Sequence, residues 1–347
     1  MTAVQYHELA LLMSLNKAPI AVQKQCRAFD RLEMIQDRYL QSIKPVQRTY
    51  VLQALHWLEN DNCGVIGWFD EAYPALLRSI ERPPMVLFFK GRVELLSQAS
   101  VALVGSRKAS HYGLQVTEQL ARQCARSGVV VVSGLAMGID AAAHRAAVDY
   151  GATVAVLGTG IDQVYPRRNR DLYELMSHQG LIISEFSPGT PARMDHFPRR
   201  NRIISGMTKG VVVVEAARRS GSISTALSAL REGREVGAVP NSIFAKSQEG
   251  CHWLLKEGAD LITCTNDILA WFDLSADESD QQSACTTPKH LANNPLFANV
   301  SNDPVSLDEL VERTGLSVAE VSEQLLLLEL EGLITAIPGG YIKVGRR

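Results

Sequence analysis

This 347-residue chain has no stretch long and apolar enough to cross a bilayer. Its first residues lack the basic region and apolar core of a secretion signal. A cytoplasmic protein with no membrane partner is expected. Cysteine is scarce, with six residues (Cys26, Cys63, Cys124, Cys251, Cys264, Cys285) far apart and no C-x-x-C. A zinc ribbon or redox pair is therefore not indicated, and free thiols in a reducing compartment are expected. The histidines have no metal-ligand spacing, so no metal is expected. There is no G-x-x-x-x-G-K-[ST] phosphate loop. Gly158-Thr159-Gly160-Ile161-Asp162-Gln163 opens like a dinucleotide fingerprint but lacks its third glycine. ATP and nicotinamide are disfavoured, and no cofactor is expected. Global basicity is absent too, since the net charge is −2.

Hydrophobic residues make up 46% and charged residues 21%, enough for a sizeable core without staples. The length predicts two or three domains. Charge is segregated along the chain. Residues 160–220 hold ten Lys/Arg against six Asp/Glu, a balance of +4, whereas residues 305–345 hold two against seven, a balance of −5. Distribution matters more than the sum for a polyanionic partner.

Residues 1–63 read as a SAM-like helical module, with apolar residues at helical spacing around Leu9–Leu12 and Tyr50–Leu58. Residues 64–100 read as a connector containing the strand-like Met85–Phe89. From 101 onward, short β-branched runs alternate with helix-like segments such as Leu114–Ser127, Ala141–Tyr150 and Ser222–Glu232. The runs start at Val101, Val129, Thr153, Leu181, Val211 and Glu235, with Leu261-Ile262 as a last one. This alternation predicts an α/β fold, an extended Rossmann-like, doubly wound and mostly parallel sheet over 64–273. Residues 274–303 are Ser/Asp/Asn/Gln/Thr-rich and read as a flexible linker. Residues 304–347 read as two helices and a hairpin, a winged-helix-like module.

Ligand loops of such sheets follow the strand C-termini. Here they are Gly105-Ser106-Arg107, Ser133 to Asp140 with Gly134 and Gly138, Gly158-Thr159-Gly160, and Ser220-Gly221-Ser222. Small loops leading to helix N-termini let backbone N–H groups approach an anion. Any one alone is an ordinary βα turn, whereas four in one sheet predict an extended phosphate crevice. Phe197-Pro198-Arg199-Arg200-Asn201-Arg202 places three guanidinium forks beside an aromatic ring. Guanidinium matches phosphate, and a ring can stack on an unpaired base. Taken alone, it reads rather as a solvated basic loop with one buried Phe. Arg167-Arg168-Asn169-Arg170 is a second basic loop, read alone as a solvated helix start. Asp140 and His144, four apart, share a helix face, and the expectation is a helix-start carboxylate accepting from His144. Glu185 and Glu215 end strands and are expected to orient guanidinium groups rather than abstract protons.

With these blocks in hand, the chain resembles the DNA processing protein A family (DprA/Smf). The resemblance rests on Tyr73-Pro74 with Pro83-Pro84, Val104 to Arg107, Ser133 to Asp140 with His144, Gly158-Thr159-Gly160 with Tyr165-Pro166, Ser184-Glu185, Phe197 to Gly206, Val214-Glu215-Ala216 and Ser220-Gly221-Ser222. The blocks occur in family order and spacing, densely over roughly 64 to 265. Val239-Pro240-Asn241 departs where the family has Pro-Gly, and Cys251-His252 where it has Cys-Asn. The resemblance implies a homodimeric protein that binds and protects incoming single-stranded DNA and loads the RecA recombinase during natural transformation and recombination. It implies no enzymatic activity, and hence no catalytic residues. It maps DNA contacts onto Arg107, the loop around Arg167 and Arg168, and the Phe197 to Arg202 segment.

Two alternatives stand beside this. A nucleotide-processing enzyme of the related phosphoribohydrolase type would use Glu185 or Glu215, but its Pro-Gly-Gly-x-Gly-Thr loop is missing. A scaffold acting only through partner proteins would not need the arginines. The second helix of the C-terminal module carries Glu320, Glu323, Glu329 and Glu331 with no Lys or Arg. Such a helix repels a duplex backbone, so a protein contact or an acidic shield is expected there.

Overall fold

The computed structural model describes residues 3–29, 32, 44–275, 295–301, 304–330 and 333–343. The chain divides into two compact units, residues 1–109 with 116–275, and residues 110–115 with 276–347. Most of the expected linker, residues 276–294, lies outside the described residues, as does the predicted helix end at Gly332.

The first unit is built on a nine-stranded sheet ordered β1-β2-β6-β5-β4-β3-β7-β8-β9. Its strands are β1 (Cys63–Gly67), β2 (Val86–Gly91), β3 (Ser100–Gly105), β4 (Val130–Ser133), β5 (Thr153–Val156), β6 (Leu181–Ser184), β7 (Gly210–Glu215), β8 (Glu235–Ala238) and β9 (Asp260–Leu261). Strands β3 to β9 run parallel, while β1 and β2 add antiparallel at the β6 edge. The continuous Val/Ile/Leu runs follow from burial on both sheet faces. The β4, β5, β6 and β7 residues are buried throughout. The expected connector 64–100 is thus partly sheet. Gly64 and Gly67 hide β1 from a propensity reading, and Cys63 to Gly67 pair in register with Lys90 to Val86.

Helices α1 (Ala3–Lys17), α2 (Ile20–Cys26) and α3 (Arg48–Trp57) precede the sheet, and α4 (Ala75–Arg78) lies between β1 and β2. Then follow α5 (His111–Arg126), α6 (Ile139–Val148), α7 (Arg170–Gln179), α8 (His196–Gly206), α9 (Gly221–Arg231), α10 (Glu249–Lys256) and α11 (Thr265–Leu269). One hydrophobic core holds Leu9, Leu12, Val51 and Leu55 together with Phe88, Ala155, Leu157 and Ile182. The N-terminal helices therefore bury their apolar stripes on the sheet and share its core. Among the described residues, no helix is long and apolar enough to cross a membrane.

The second unit holds α12 (Pro295–Asn299), α13 (Leu307–Thr314), α14 (Val318–Leu330) and a hairpin of β10 (Ile334–Ile337) and β11 (Gly340–Lys343). Ser306 caps α13 by accepting from the Glu309 amide, and Gly315 ends it in the left-handed region at φ 69°. Leu310, Val321, Leu325 and Leu328 form its core. Two helices packed on a hairpin make this a winged helix.

Candidate nucleic-acid interface

Strands β4 to β6 extend from one side of β3, and β7 to β9 from the other. The chain reverses its lateral progress between β3 and β7, which makes this the switch point where open α/β sheets place a ligand crevice. The loops are tightly joined there. The Ser106 amide donates to the Glu215 carbonyl at 2.7 Å, and Ser222 Oγ to the Gly105 carbonyl at 2.9 Å. Ser220 caps α9, accepting from the Ser222 amide at 3.0 Å. Gly138 has φ 75°, and a Cβ there would lie 2.2 Å from the Ser106 carbonyl. Only glycine permits both that backbone and that approach.

The segment Phe197 to Arg202 is a helix rather than a loop. Pro198 sits in the first turn of α8, where its missing N–H costs nothing. At about 100° per residue, Phe197, Arg200 and Asn201 fall on one face and Arg199 and Arg202 on the opposite one. The expected single cluster of three arginines is split in two.

On the crevice side, Arg200 turns inward. It is 5% exposed and donates Nη1 to the Val156 carbonyl at 2.6 Å. A Cβ on Gly134 would sit 1.8 Å from that Nη1, and one on Gly158 2.8 Å from the Phe197 ring. These two glycines are the floor on which α8 rests. Gly134, Gly158 and Gly160 are buried. The Gly134 amide donates to Asp140 at 3.1 Å and the Gly160 amide to the Thr190 carbonyl at 2.8 Å. For Gly134 and Gly160 the expected role as anion donors gives way to packing, because both amides are already used inside. Arg200 likewise departs from the expected surface track. Burial pulls its pKa down to about 10, with Asp140 opposing and Arg107 assisting.

Asp140 also accepts from the Ala136 amide at 3.4 Å, so it braces the Ser133 to Asp140 loop. Its carboxyl is pushed up by burial, against the pull of Arg200. His144 does not donate to it as expected. The Leu135 amide donates to His144 Nε2 at 3.4 Å, which leaves the proton on Nδ1, 2.7 Å from Thr153 Oγ1. That hydroxyl in turn donates to the Val131 carbonyl at 2.9 Å. Burial, assisted by Arg200, lowers the His144 pKa to about 3.

The accessible groups form a line. Arg107 is exposed, and its guanidinium lies 5.7 Å from the Phe197 ring centroid. Phe197 is half-buried and meets the Tyr165 ring at 5.4 Å. Tyr165 is 45% exposed and precedes the exposed Arg167 and Arg168 across a cis peptide to Pro166. Asn169 pins this basic turn by donating to the Leu135 and Ala136 carbonyls at 2.9 and 3.2 Å. Asn201 donates to the Gly221 carbonyl at 3.3 Å, joining α8 to the start of α9. Arg107, Phe197, Tyr165, Arg167 and Arg168 thus come from two loops and the first turn of α8 into one cationic and aromatic track. Gly105, Ser106, Gly138, Ser220 and Ser222 are half-buried beside the switch point, and Gly221 is exposed. Tyr165 was missed as a ring of the track, although its place directly before two arginines was the available signal.

On the opposite face of α8, Arg199 and Arg202 both donate to Glu185 Oε2, at 2.8 and 2.6 Å. The Glu185 side chain is fully buried. Its expected task of orienting guanidinium groups is what the geometry displays. Glu215 is also buried, at 1% exposure. Among the described residues no cluster of metal-ligating side chains occurs, and Cys26, Cys63, Cys124, Cys251 and Cys264 are free thiols.

A parallel sheet with a cationic, aromatic track over its switch point, followed by a winged helix, defines a class of nucleic-acid-handling protein. The family profile described as DNA recombination-mediator protein A matches residues 64–273, and the DprA winged helix domain matches residues 282–340. The chain belongs to the DNA recombination-mediator protein A family, a family of DNA-processing proteins. It is similar to Protein Smf of Escherichia coli (strain K12), at 41% identity over 323 residues, covering 89% of this chain and 85% of that one. It is similar to DNA processing protein DprA of Streptococcus pneumoniae (strain ATCC BAA-255 / R6), at 46% identity over 205 residues, covering 59% and 72%. The X-ray structure of DprA from Streptococcus pneumoniae superposes with a TM-score of 0.64 at 35% identity, covering 78% of this chain and 98% of that one. DprA from Helicobacter pylori, described for its single-stranded DNA binding mode, superposes with a TM-score of 0.56 at 27% identity, covering 60% and 95%.

Proposed function

We propose that this protein binds single-stranded DNA without strong sequence preference, as a homodimer, and hands the strand to the RecA recombinase. The observation that carries the reading is the line of Arg107, Phe197, Tyr165, Arg167 and Arg168. Single-strand binding needs a positive track for phosphates and rings for bases, and stacking is worth roughly 1–3 kcal/mol per base. In this reading Arg107, Arg167 and Arg168 meet phosphates, and Phe197 and Tyr165 meet bases. The switch-point residues Gly105, Ser106, Gly138, Ser220, Gly221 and Ser222 let the strand approach closely. Gly134, Gly158, Gly160 and Arg200 act from beneath as scaffold. Asn201 holds the α8–α9 corner. The track contacts phosphates and ring faces, which carry little sequence information. The DNA-binding mode described for the Helicobacter pylori relative supports the choice of strand, and the names of the relatives support a place in DNA processing. RecA loading follows the family resemblance, and the homodimer belongs to the same reading.

In this reading the DNA-binding sheet of 64–273 works together with the helices of 1–63 packed on it, the linker expected at 274–303 ends before α12, and the winged helix includes α12, whose Leu296 joins its core. An acidic α14 without a single base suits a protein contact better than duplex DNA. The hydrolase alternative loses ground because Glu185 is clamped by two arginines and has no exposed surface.

The test is a titration of labelled oligo-dT and a matched duplex at several salt concentrations. A strong single-strand preference with a log–log salt slope of about −0.7 per phosphate contact is expected. Equal or salt-independent binding would overturn the reading and send the search to nucleotide hydrolysis.

A further inference from the structure

The face of α8 turned away from the crevice is electrically unbalanced. Glu185 is its buried carboxylate, and it already serves two guanidinium groups, those of Arg199 and Arg202. Around this pair stand more cations from the N-terminal helices and the segment after β1. Arg78 lies 5.4 Å from the Trp68 ring and 5.6 Å from the Tyr73 ring. Arg199 Nη2 reaches the Asn16 carbonyl at 3.5 Å, directly before Lys17, and Arg27 Nη2 donates to the Glu81 carbonyl at 3.3 Å, directly before Arg82. Arg27, Arg78 and Arg82 are half-exposed and Lys17 is exposed. Arg202 keeps Nε and Nη1 buried without a protein partner, and Glu185 keeps Oε1 in the same state.

Like charges held this close repel, and one carboxylate cannot neutralise six cations. Two further acids add little: Glu81 is largely exposed and already paired with Lys24, and Glu232, which interacts with Arg202, accepts from Ser205 Oγ at 2.8 Å. Aromatic surface runs beside the charge, since Trp68 is half-exposed and stacked by Arg78. A guanidinium on an indole next to free cations is the chemistry that holds a nucleic-acid backbone with an unpaired base.

We propose that this face, formed by Lys17, Arg27, Arg78, Arg82 and Arg199 with Trp68, is a second phosphate-binding site that takes the continuation of a single strand leaving the crevice. The site rests on the single-strand reading above and extends it around α8. A helix is about 10–12 Å across, so a strand reaches from one face to the other within a few nucleotides. Arg202 and Glu185 are the brace beneath: they hold Arg199 in place and stay out of contact with the ligand. The N-terminal helices thereby become part of the DNA site, in addition to covering the sheet.

The test uses the full chain and the double variant Lys17→Gln/Arg82→Gln. Neither side chain makes a hydrogen bond that holds the fold, and a thermal melt checks that. Affinity is measured for oligo-dT of about six and about twenty-five nucleotides, lengths that bracket one ordinary single-strand site. The expected result is an unchanged short-strand affinity, within about twofold. Long-strand affinity should fall about five- to tenfold at low salt, with a salt slope shallower by about 1.4 for two lost phosphate contacts. Arg82→Glu should deepen the long-strand loss alone. Unchanged long-strand binding, or an equal loss at both lengths, overturns the second site. If the unaltered protein fails to bind the short strand, the crevice reading falls. The second site is then judged on the long strand alone, where no loss overturns it.

Discussion

At the scale of single residues, burial sorts the arginines into two kinds of work. Arg200 donates to the Val156 carbonyl from inside the protein, whereas Arg107 stands exposed over Phe197. A substitution at each should therefore be read by a different instrument. Arg107→Ala removes a phosphate contact and a guanidinium–ring contact, together worth about 1.4 kcal/mol, which is about tenfold in affinity. The loss should be similar for oligo-dT, oligo-dA and mixed strands, with melting temperature unchanged. A loss that depends strongly on base sequence would remove Arg107 from the phosphate role. Arg200→Ala should instead lower the melting temperature, because it opens a cavity over Gly134 and strands a buried carbonyl. The density of cations over Arg199 to Arg202 was legible. Their division was not, because the segment was read as a loop and only a helix sends neighbouring residues to opposite faces.

Elements fix what single residues cannot. Strands β3 to β8 were legible because burial on both faces demands β-branched runs, and such runs stand out between polar helices. Helix α8 was hidden: its first turn is His196-Phe197-Pro198, followed by a basic run, and the apolar stripe starts only at Ile203. Strand β1 was hidden by its two glycines and is held by pairing with β2. The loop under α8 is secured by α6, and His144 carries that join through Leu135 and Thr153. Its pKa near 3 in the fold, against about 6.5 when unfolded, gives a pH dependence with a definite sign. The unfolded chain binds the proton first, so this stability is complete above pH 6.5 and is lost as pH falls toward 3. At pH 5 the loss from this one group is about 2 kcal/mol. Melting temperatures between pH 7 and pH 5 should fall steeply in the natural chain and less in His144→Gln. Parallel curves for the two proteins would show that His144 ionises in the fold.

For the whole molecule, charge segregation divides the labour between the two units. The sheet unit presents cations on both faces of α8, while α14 of the winged helix presents acids and exposed leucines, among them Leu326, Leu327 and Leu330. The overall net charge of −2 conceals this, and only the position of each charge along the chain made it legible. A module with a balance of −5 over 305–345 adds long-range repulsion to any strand approaching the protein, and contributes few phosphate contacts of its own. Its removal should then act only through the distant field. A chain ending at 275 should bind oligo-dT with a salt slope no shallower than that of the full chain, because the slope counts contacts and none is lost. Its affinity should rise modestly, by no more than about threefold at low salt, and match the full chain above about 0.15 M, where the screening length is about 8 Å. A shallower slope, or a tenfold loss in the shortened chain, would place phosphate contacts on the winged helix. In that event Lys343, on the hairpin, would be the first side chain to exchange, since α14 has no cation to offer.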